Sequence, residues 1–247
     1  MQPHVLLPPP PQTKACVDEQ LLLIKQLNRR QACVHVCADE AERLLAAGQC
    51  AAAAVQLLRA IHLKHLPSRA LMAWLFLEGR EGVARDTSRA RQLAQEGARR
   101  GCHHCKGVLA FCNWYREPIV QDHETLELAR ESSEKGSRYG QYVHGLLTDA
   151  EPPIRLAADQ NLDAAQIWLG DTLYENGIGP HQLRAEALQW YQLAAAQGNA
   201  RALLKVGYMH ELGHSFPVDV AEAVRWYKRA AAAGSVRAAW CVKKLDT

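Results

Sequence analysis

The hydrophobic positions of this chain recur at helical spacing, with polar residues between them. The first apolar stripe has members three or four residues apart, which places them on one helix face, and it consists of Val17, Leu21, Ile24 and Leu27. Two further apolar segments, 38–47 and 51–65, are separated at Gly48 and end before Pro67. Glycine and proline interrupt helices at such points, so the pattern predicts a helical hairpin there.

In the last third of the chain the pattern repeats every 36 residues. Trp190-Tyr191 returns as Trp226-Tyr227, and Gly198 returns as Gly234, with a run of alanines between each pair. A fixed period of about 20–50 residues indicates a chain of stacked supersecondary units. Abundant alanine and few aromatic residues favour closely packed helices over sheet. The sequence therefore predicts an all-α protein built from repeated hairpins.

The residues that carry this period resemble a known family. Residues 170–179 read Gly-Asp-Thr-Leu-Tyr-Glu-Asn-Gly-Ile-Gly, and residues 185–198 read Ala-Glu-Ala-Leu-Gln-Trp-Tyr-Gln-Leu-Ala-Ala-Ala-Gln-Gly. These two segments resemble the Sel1-like repeat, a relative of the tetratricopeptide repeat. The resemblance implies two antiparallel helices in each unit and a right-handed α/α solenoid. It also implies a role as an adaptor or assembly factor in larger complexes.

The repeat divides the chain into four parts. We expect a Pro-rich flexible arm at 1–15, an N-terminal helix with a TPR-like hairpin at 16–67, Sel1-like repeats at 68–235, and a C-terminal capping helix at 236–247. The predicted repeats are 68–101, 102–136, a shortened unit 137–162, 163–198 and 199–235.

Individual residues give these units a physical basis. Gly170 and Gly207 lie inside predicted first helices, where glycine costs about 1 kcal/mol relative to alanine, so we expect a neighbour to approach closely there. The aromatic residues at repeat spacing are predicted to fill the core between helices, and they are Tyr174, Trp190, Tyr191, Trp226 and Tyr227. Side chains able to cap second helices are Asp86 or Thr87, Asp122, and Asp219 with Glu222.

Charge and cysteine content limit the possible environments. The formal net charge is +3 over 247 residues, too small by itself to indicate nucleic acid or an anionic membrane as partner. The segment Arg80–Arg116 is locally basic, either as solvated helix faces or as a docking patch. Residues 1–20 show no signal peptide and no segment is long enough to span a membrane. With eight cysteines, the expectation is a cytoplasmic or other reducing soluble compartment, organelle import remaining open.

Few residues suggest chemistry. No dinucleotide-binding, Walker or nucleophile-elbow motif is found in the sequence, so we expect a protein that is not an enzyme and has no cofactor. One cluster offers an alternative, because Cys-x-x-Cys can bind zinc or exchange disulfides. Its metal candidates are Cys102, Cys105, Cys112, His103 and His104, with His123 downstream. Zinc needs four ligands and only one Cys-x-x-Cys pair is present, so buried thiols are the competing interpretation.

The function predicted from the sequence is a non-catalytic scaffold that presents a concave helical-repeat surface to a protein partner. The alternative is a permanent structural subunit of a large multiprotein complex, and a more distant one is a metal or redox protein using the Cys102 cluster. The first helix of each unit in the family carries a Leu-Gly pair, here Leu169-Gly170. By analogy with tetratricopeptide repeats, the residue after this pair faces the concave side. The equivalent residues in the five units are Trp74, Val108, Leu146, Asp171 and Tyr208. Arg201, Glu175 and Glu211 are predicted to set polarity there. For Val108 and Leu146 a core position is the competing interpretation.

Overall fold

The computed structural model describes residues 32–80, 82–115, 122–176, 181–214 and 217–245. The predicted Pro-rich arm and the helix expected near Val17 lie outside these ranges. Within them the chain forms thirteen helices and no strand, apart from one isolated bridge between Arg80 and Val83. The helices are α1 (32–46), α2 (Cys50–His62), α3 (Leu66–Glu78), α4 (Thr87–Arg99), α5 (His103–Trp114), α6 (His123–Glu134), α7 (Arg138–Thr148), α8 (Glu151–Asp159), α9 (Asp163–Asn176), α10 (His181–Ala196), α11 (Ala200–Leu212), α12 (Val220–Ala232) and α13 (Val236–Leu245).

Successive helices pack as hairpins that stack into a solenoid. The pairs α3/α4, α5/α6, α7/α8, α9/α10 and α11/α12 each pack together and against the next pair. Tight turns join the pairs, and Gly198 and Gly234 adopt φ of 76° and 95° there. Only glycine adopts such values easily. The all-α solenoid predicted from the repeat is confirmed.

Helix ends follow the predicted capping residues. Asp86 accepts a bond from the Arg89 N–H at 2.9 Å, Asp122 from Thr125 at 2.7 Å, and Asp219 from Glu222 at 2.8 Å. Each bond satisfies an N–H that has no partner inside its own helix. The Asp219 N–H donates to the carbonyl of His210 at 3.0 Å rather than to Glu222. The Glu222 carboxylate accepts from Arg225 at 2.8 Å, so only half of the predicted capping box forms.

The shortened unit is short because its second helix has only nine residues. Asp149, at φ 52°, and Ala150 form the entire connection between α7 and α8. Pro152 and Pro153 follow in the first turn of α8, where a missing N–H does no harm. The helix then ends at Asp159. This confirms that the proline pair begins the second helix.

Glycines inside the first helices make room for tyrosine rings. A Cβ at Gly170 would lie 2.5 Å from Cε1 of Tyr191, and a Cβ at Gly207 would lie 2.6 Å from Cε1 of Tyr227. Both tyrosines are 0% exposed. Their hydroxyls donate to Asp171 at 2.7 Å and Glu211 at 2.6 Å. The predicted close approach is therefore a repeated contact between a glycine and a tyrosine ring.

Candidate functional site

The solenoid curls so far that its two halves touch. The turn between α1 and α2 meets the turn between α10 and α11, and a Cβ at Gly48 would lie 3.7 Å from Cα of Gly198. Between them, on the inner side of the curve, lies a cavity of about 830 Å³. Its wall combines apolar side chains such as Leu71, Trp74 and Leu193 with charged ones. Trp74 and Leu193, which are 119 positions apart in the sequence, thus line one space.

A polar cluster on the cavity wall joins three distant segments. Arg80 donates to Glu78 at 2.7 Å, to the carbonyl of Gln197 at 2.8 Å and to Asp163. Asp163 also accepts from the Asn199 side chain at 2.6 Å. We call these five residues the Arg80 cluster. It connects the loop after α3, the start of α9 and the turn before α11, which is how it holds the curve closed.

The Arg80 cluster holds two carboxylates and one guanidinium in a nearly buried setting. The side chains of Glu78, Arg80 and Asp163 are 17%, 10% and 4% exposed. Burial, then repulsion from Asp163, raises the pKa of Glu78 to about 7 despite the attraction of Arg80. Burial opposes ionisation of Arg80, but the two carboxylates outweigh it and raise its pKa. Near neutral pH, Glu78 therefore exists in both its neutral and ionised forms.

Two histidines stand elsewhere on the cavity wall. His65 lies 2.7 Å from the Ser68 hydroxyl, and burial lowers its pKa. His104 lies 3.2 Å from the Ser137 hydroxyl, and burial, with repulsion from His103 and Arg138, lowers its pKa to about 4. Both shifts favour the neutral ring, which offers hydrogen bonds rather than charge.

The predicted partner-binding residues separate into two groups. Trp74 lines the cavity but is only 4% exposed, and it packs among Phe111, Tyr139 and Tyr142. Trp74 thus faces the cavity, but those rings cover most of its surface, and contact with a partner stays a prediction. Val108 is 0% exposed, and Leu146 is partly buried against the same core.

The other predicted residues lie in the C-terminal half and remain accessible. Asp171 pairs with Arg201, which is exposed, and with Lys205 at 2.8 Å. Tyr208 is half-buried, with Arg237 over its ring at 5.7 Å, and Glu175 is exposed. Glu211 accepts the Tyr227 hydroxyl. Contact between a partner and these side chains stays a prediction.

Cys102 occupies the N-cap position of α5 without a capping bond from its side chain, and Cys105 lies one turn further on. A hydrogen bond from the Cys105 thiol, with the N–H groups of Cys105 and His104, lowers the pKa of Cys102 to about 6. The same interaction and burial raise the pKa of Cys105. Cys102, Cys105 and Cys112 are free and at most 6% exposed. Across the described ranges, no three His, Cys, Asp or Glu side chains are grouped to hold a metal ion.

The basic segment 80–116 does not behave as one surface. Arg89 is exposed, with its side chain 69% accessible, but Arg91 donates to the side chain of Asn113 and the carbonyl of Cys112. Arg80 is nearly buried in the Arg80 cluster. Arg89 thus fits the interpretation of this segment as solvated helix faces, whereas the nearly buried Arg80 does not. Sequence reasoning missed the role of Arg80 because two of its partners, Asp163 and Gln197, are 83 and 117 residues away.

Comparison with known proteins agrees with this architecture. Residues 67–102, 163–199 and 200–235 each match the Sel1 repeat family model. The HRD3B component of the ERAD-associated E3 ubiquitin-protein ligase from Arabidopsis thaliana is 35% identical over 84 residues, which is 32% of this chain and 14% of that protein. This chain thus covers only a small part of that relative.

Solved structures show the same fold. A protective antigen of uropathogenic Escherichia coli strains with an SLR fold superimposes with a TM-score of 0.54 at 22% identity, covering 86% of this chain and 48% of that one. A Sel1 repeat protein from Oxalobacter formigenes gives 0.50 at 23% identity, covering 81% and 86%. At such identities the likeness concerns the fold alone. Three separate segments match the same repeat model, and the contact between glycine and tyrosine recurs in two of them, so this chain contains Sel1 repeats at residues 67–102, 163–199 and 200–235.

Proposed function

We propose that this chain is a non-catalytic scaffold that holds a segment of a partner protein on its concave side. The observation that supports the proposal is the open cavity of about 830 Å³ on the inner side of the curled solenoid. Sel1 repeats generally mediate protein–protein interaction. A cavity of this size, lined by apolar and polar groups together, suits side chains of a docked segment.

The wall of the cavity supplies contacts of both kinds. Leu193 lines it and is 48% exposed, so an apolar side chain of the partner can cover it. Glu42 and Arg43 are exposed residues that also line it. The matched Arabidopsis protein is by its name a ligase component, and so works within an assembly. That supports a protein partner for this chain without naming one.

The test replaces one exposed leucine in the cavity. Leu193→Glu places a charge on the cavity wall, whereas Leu156→Glu makes the same change at a leucine 54% exposed that does not line the cavity. Native protein and both variants are purified from the source cell, and partners are quantified by mass spectrometry. We expect Leu193→Glu to lose partners that Leu156→Glu keeps. Identical partner profiles for the two variants would refute the proposal.

We also propose a reducing compartment for this protein. The support is that Cys33, Cys37, Cys50, Cys102, Cys105, Cys112 and Cys241 are free thiols. None of the described helices combines the length and hydrophobicity needed to cross a bilayer. Cells lysed directly into denaturant that contains an alkylating reagent expose every thiol, and mass spectrometry should then find these cysteines alkylated, hence reduced in the cell. Recovery of Cys102 and Cys105 as a disulfide would contradict this proposal.

A further inference from the structure

The wall of the cavity carries more negative than positive charge. Among the described residues, its four carboxylates and three guanidiniums are those of Asp39, Glu42, Glu78, Asp163, Arg43, Arg80 and Arg138. One of the guanidiniums, that of Arg43, pairs at 3.2 Å with Glu40, which is not part of the wall. Two cations therefore remain for the four carboxylates. The whole chain has the opposite balance, with a formal net charge of +3.

The two remaining cations already serve several carboxylates. Arg80 donates to both Glu78 and Asp163. Arg138 lies 3.9 Å from Glu42, which is longer than a hydrogen bond, and its guanidinium donates to a backbone carbonyl at 3.1 Å. Burial, followed by repulsion from Asp163, raises the pKa of Glu78 to about 7. A further cation beside these carboxylates would favour their ionised forms.

Two of the carboxylates are accessible from water. Asp39 and Glu42 are exposed and lie three positions apart on α1, a spacing that places them on one side of a helix. Both lie near enough to His65 to favour its charged form, although burial outweighs them. A cation that enters the cavity therefore meets Asp39 and Glu42 without displacing other side chains.

Apolar side chains line the same cavity beside these charges. Leu193 is 48% exposed, whereas Leu71 and Trp74 lie deeper, at 9% and 4%. A lysine or arginine suits such a wall because its hydrocarbon stem covers apolar surface while its charge stays with the carboxylates. An acidic side chain would meet like charge. An entirely apolar segment would remove the carboxylates from water without giving them a partner.

We propose that the cavity binds a segment of a partner protein that carries a lysine or arginine among apolar residues, with its cation held by Asp39, Glu42 and the Arg80 cluster. The apolar neighbours of that residue cover Leu193. This inference rests on the proposed function, because it names the chemistry of the segment that the cavity holds.

The probe is a set of synthetic peptides of about nine residues, roughly 30 Å long when extended. Their central residue is lysine in one series, glutamate in another and norleucine in a third, and random apolar and small residues flank it. The immobilised full chain captures peptides from an equimolar mixture, and mass spectrometry identifies them. We expect the best lysine peptide to bind about tenfold or more tightly than its glutamate and norleucine counterparts. Its binding should weaken as salt increases.

Paired substitutions at the accessible carboxylates test the residues. Asp39→Asn combined with Glu42→Gln should weaken binding of the lysine peptides about tenfold. Asp39→Lys combined with Glu42→Lys should reverse the preference to the glutamate series. The matched control is Glu124→Gln combined with Asp159→Asn, which neutralises one glutamate and one aspartate at exposed positions outside the cavity wall. Circular dichroism and thermal denaturation check that each variant keeps its fold.

A further variant separates this inference from the proposed function. Leu193→Asn removes an apolar contact without adding charge. If the three series bind equally and Leu193→Asn weakens all of them, the cavity is a docking site but its occupant is not basic. If no series binds, or if neither Leu193→Asn nor the paired substitutions change binding, the cavity itself is not the docking site.

Two other occupants would also overturn the inference. Displacement of the lysine peptides by an equal concentration of spermidine would assign the carboxylates to a small polycation. Light scattering that shows a dimer, dissociated by Asp39→Lys combined with Glu42→Lys, would assign the cavity to a second copy of this chain.

Discussion

At the scale of single residues, Tyr191 and Tyr227 show how the repeat encodes its packing. Each ring occupies the space that a glycine leaves on the facing helix, and each hydroxyl donates to a carboxylate. Glycine weakens a helix by about 1 kcal/mol, and here the buried ring offsets that cost. The paired residues therefore depend on each other.

The first prediction tests this dependence at the last repeat. Gly207→Ala should lower the free energy of unfolding by about 1–3 kcal/mol, because the new methyl overlaps the Tyr227 ring. In a Tyr227→Ala background the same change should stabilise the helix by roughly 0.5–1 kcal/mol. Urea denaturation of the four proteins measures both effects. Equal effects of Gly207→Ala in the two backgrounds would show that the ring and the glycine are independent.

Glu78 is a second residue whose behaviour depends on distant neighbours. Its pKa is raised from 4.5 to about 7, so the folded chain holds this proton more tightly than the unfolded chain. The contribution favours folding below pH 4.5 and is lost as the pH rises towards 7. Glu78 alone should therefore make the protein less stable at pH 8 than at pH 5.

The second prediction compares Glu78→Gln with the native protein across this range. Glutamine has no proton to lose, so between pH 5 and pH 8 the variant should gain roughly 1–3 kcal/mol of unfolding free energy relative to the native chain. Thermal denaturation at intervals of pH measures the difference. Glu96→Gln, at an exposed carboxylate that pairs with Arg69, is the control and should show little change. A constant offset between Glu78→Gln and the native protein would contradict the raised pKa.

At the scale of helices, the boundaries are set by capping side chains and by proline. Asp86, Asp122 and Asp219 each accept an N–H at the start of a second helix. Pro152 and Pro153 start α8, which then has room for only nine residues before the next turn. These second helices thus begin at capping aspartates or prolines that can be recognised in the sequence alone.

The third prediction concerns one such start. Asp219→Ala should lower stability by about 1 kcal/mol, since the Glu222 N–H loses its acceptor. Asp219→Asn keeps an oxygen in place and should lose much less. Urea denaturation measures both, and hydrogen exchange should show the change confined to the first turn of α12. Equal losses for alanine and asparagine would mean that charge, rather than the bond, stabilises the helix start.

At the scale of the whole molecule, the Arg80 cluster links regions that the curled solenoid brings together. Arg80 reaches Asp163 and Gln197 from the loop after α3. The contact of Gly48 with Gly198 lies in the same region. Removing one partner of a buried ion pair leaves the other charge without compensation. The closed curve is therefore coupled to stability.

The fourth prediction tests this coupling with Arg80→Ala. The change should lower stability by about 3 kcal/mol, because two buried carboxylates lose their cation, and the loss should shrink at low pH as they take up protons. The solenoid should also open, which small-angle X-ray scattering detects as a larger radius of gyration. Arg89→Ala, at an arginine 69% exposed, should leave both values near those of the native chain. If Arg80→Ala and Arg89→Ala had the same stability and radius of gyration, Arg80 would not contribute to holding the curve closed.

The sequence by itself determined the all-α solenoid, the hairpin period and the capping residues. These features depend on local patterns, such as apolar spacing, Gly198 and Gly234 at turns, and aspartates before helices, so they can be read without the fold. The roles of Gly170 and Gly207 could be predicted too, since a costly glycine in a helix implies a close neighbour.

Only the tertiary structure decided the curvature, the cavity and the burial of Trp74. Those depend on small rotations between hairpins that add up along the chain, and no local pattern records their sum. They bring Arg80 to partners 83 and 117 residues away and cover Trp74 with rings from α5 and α7.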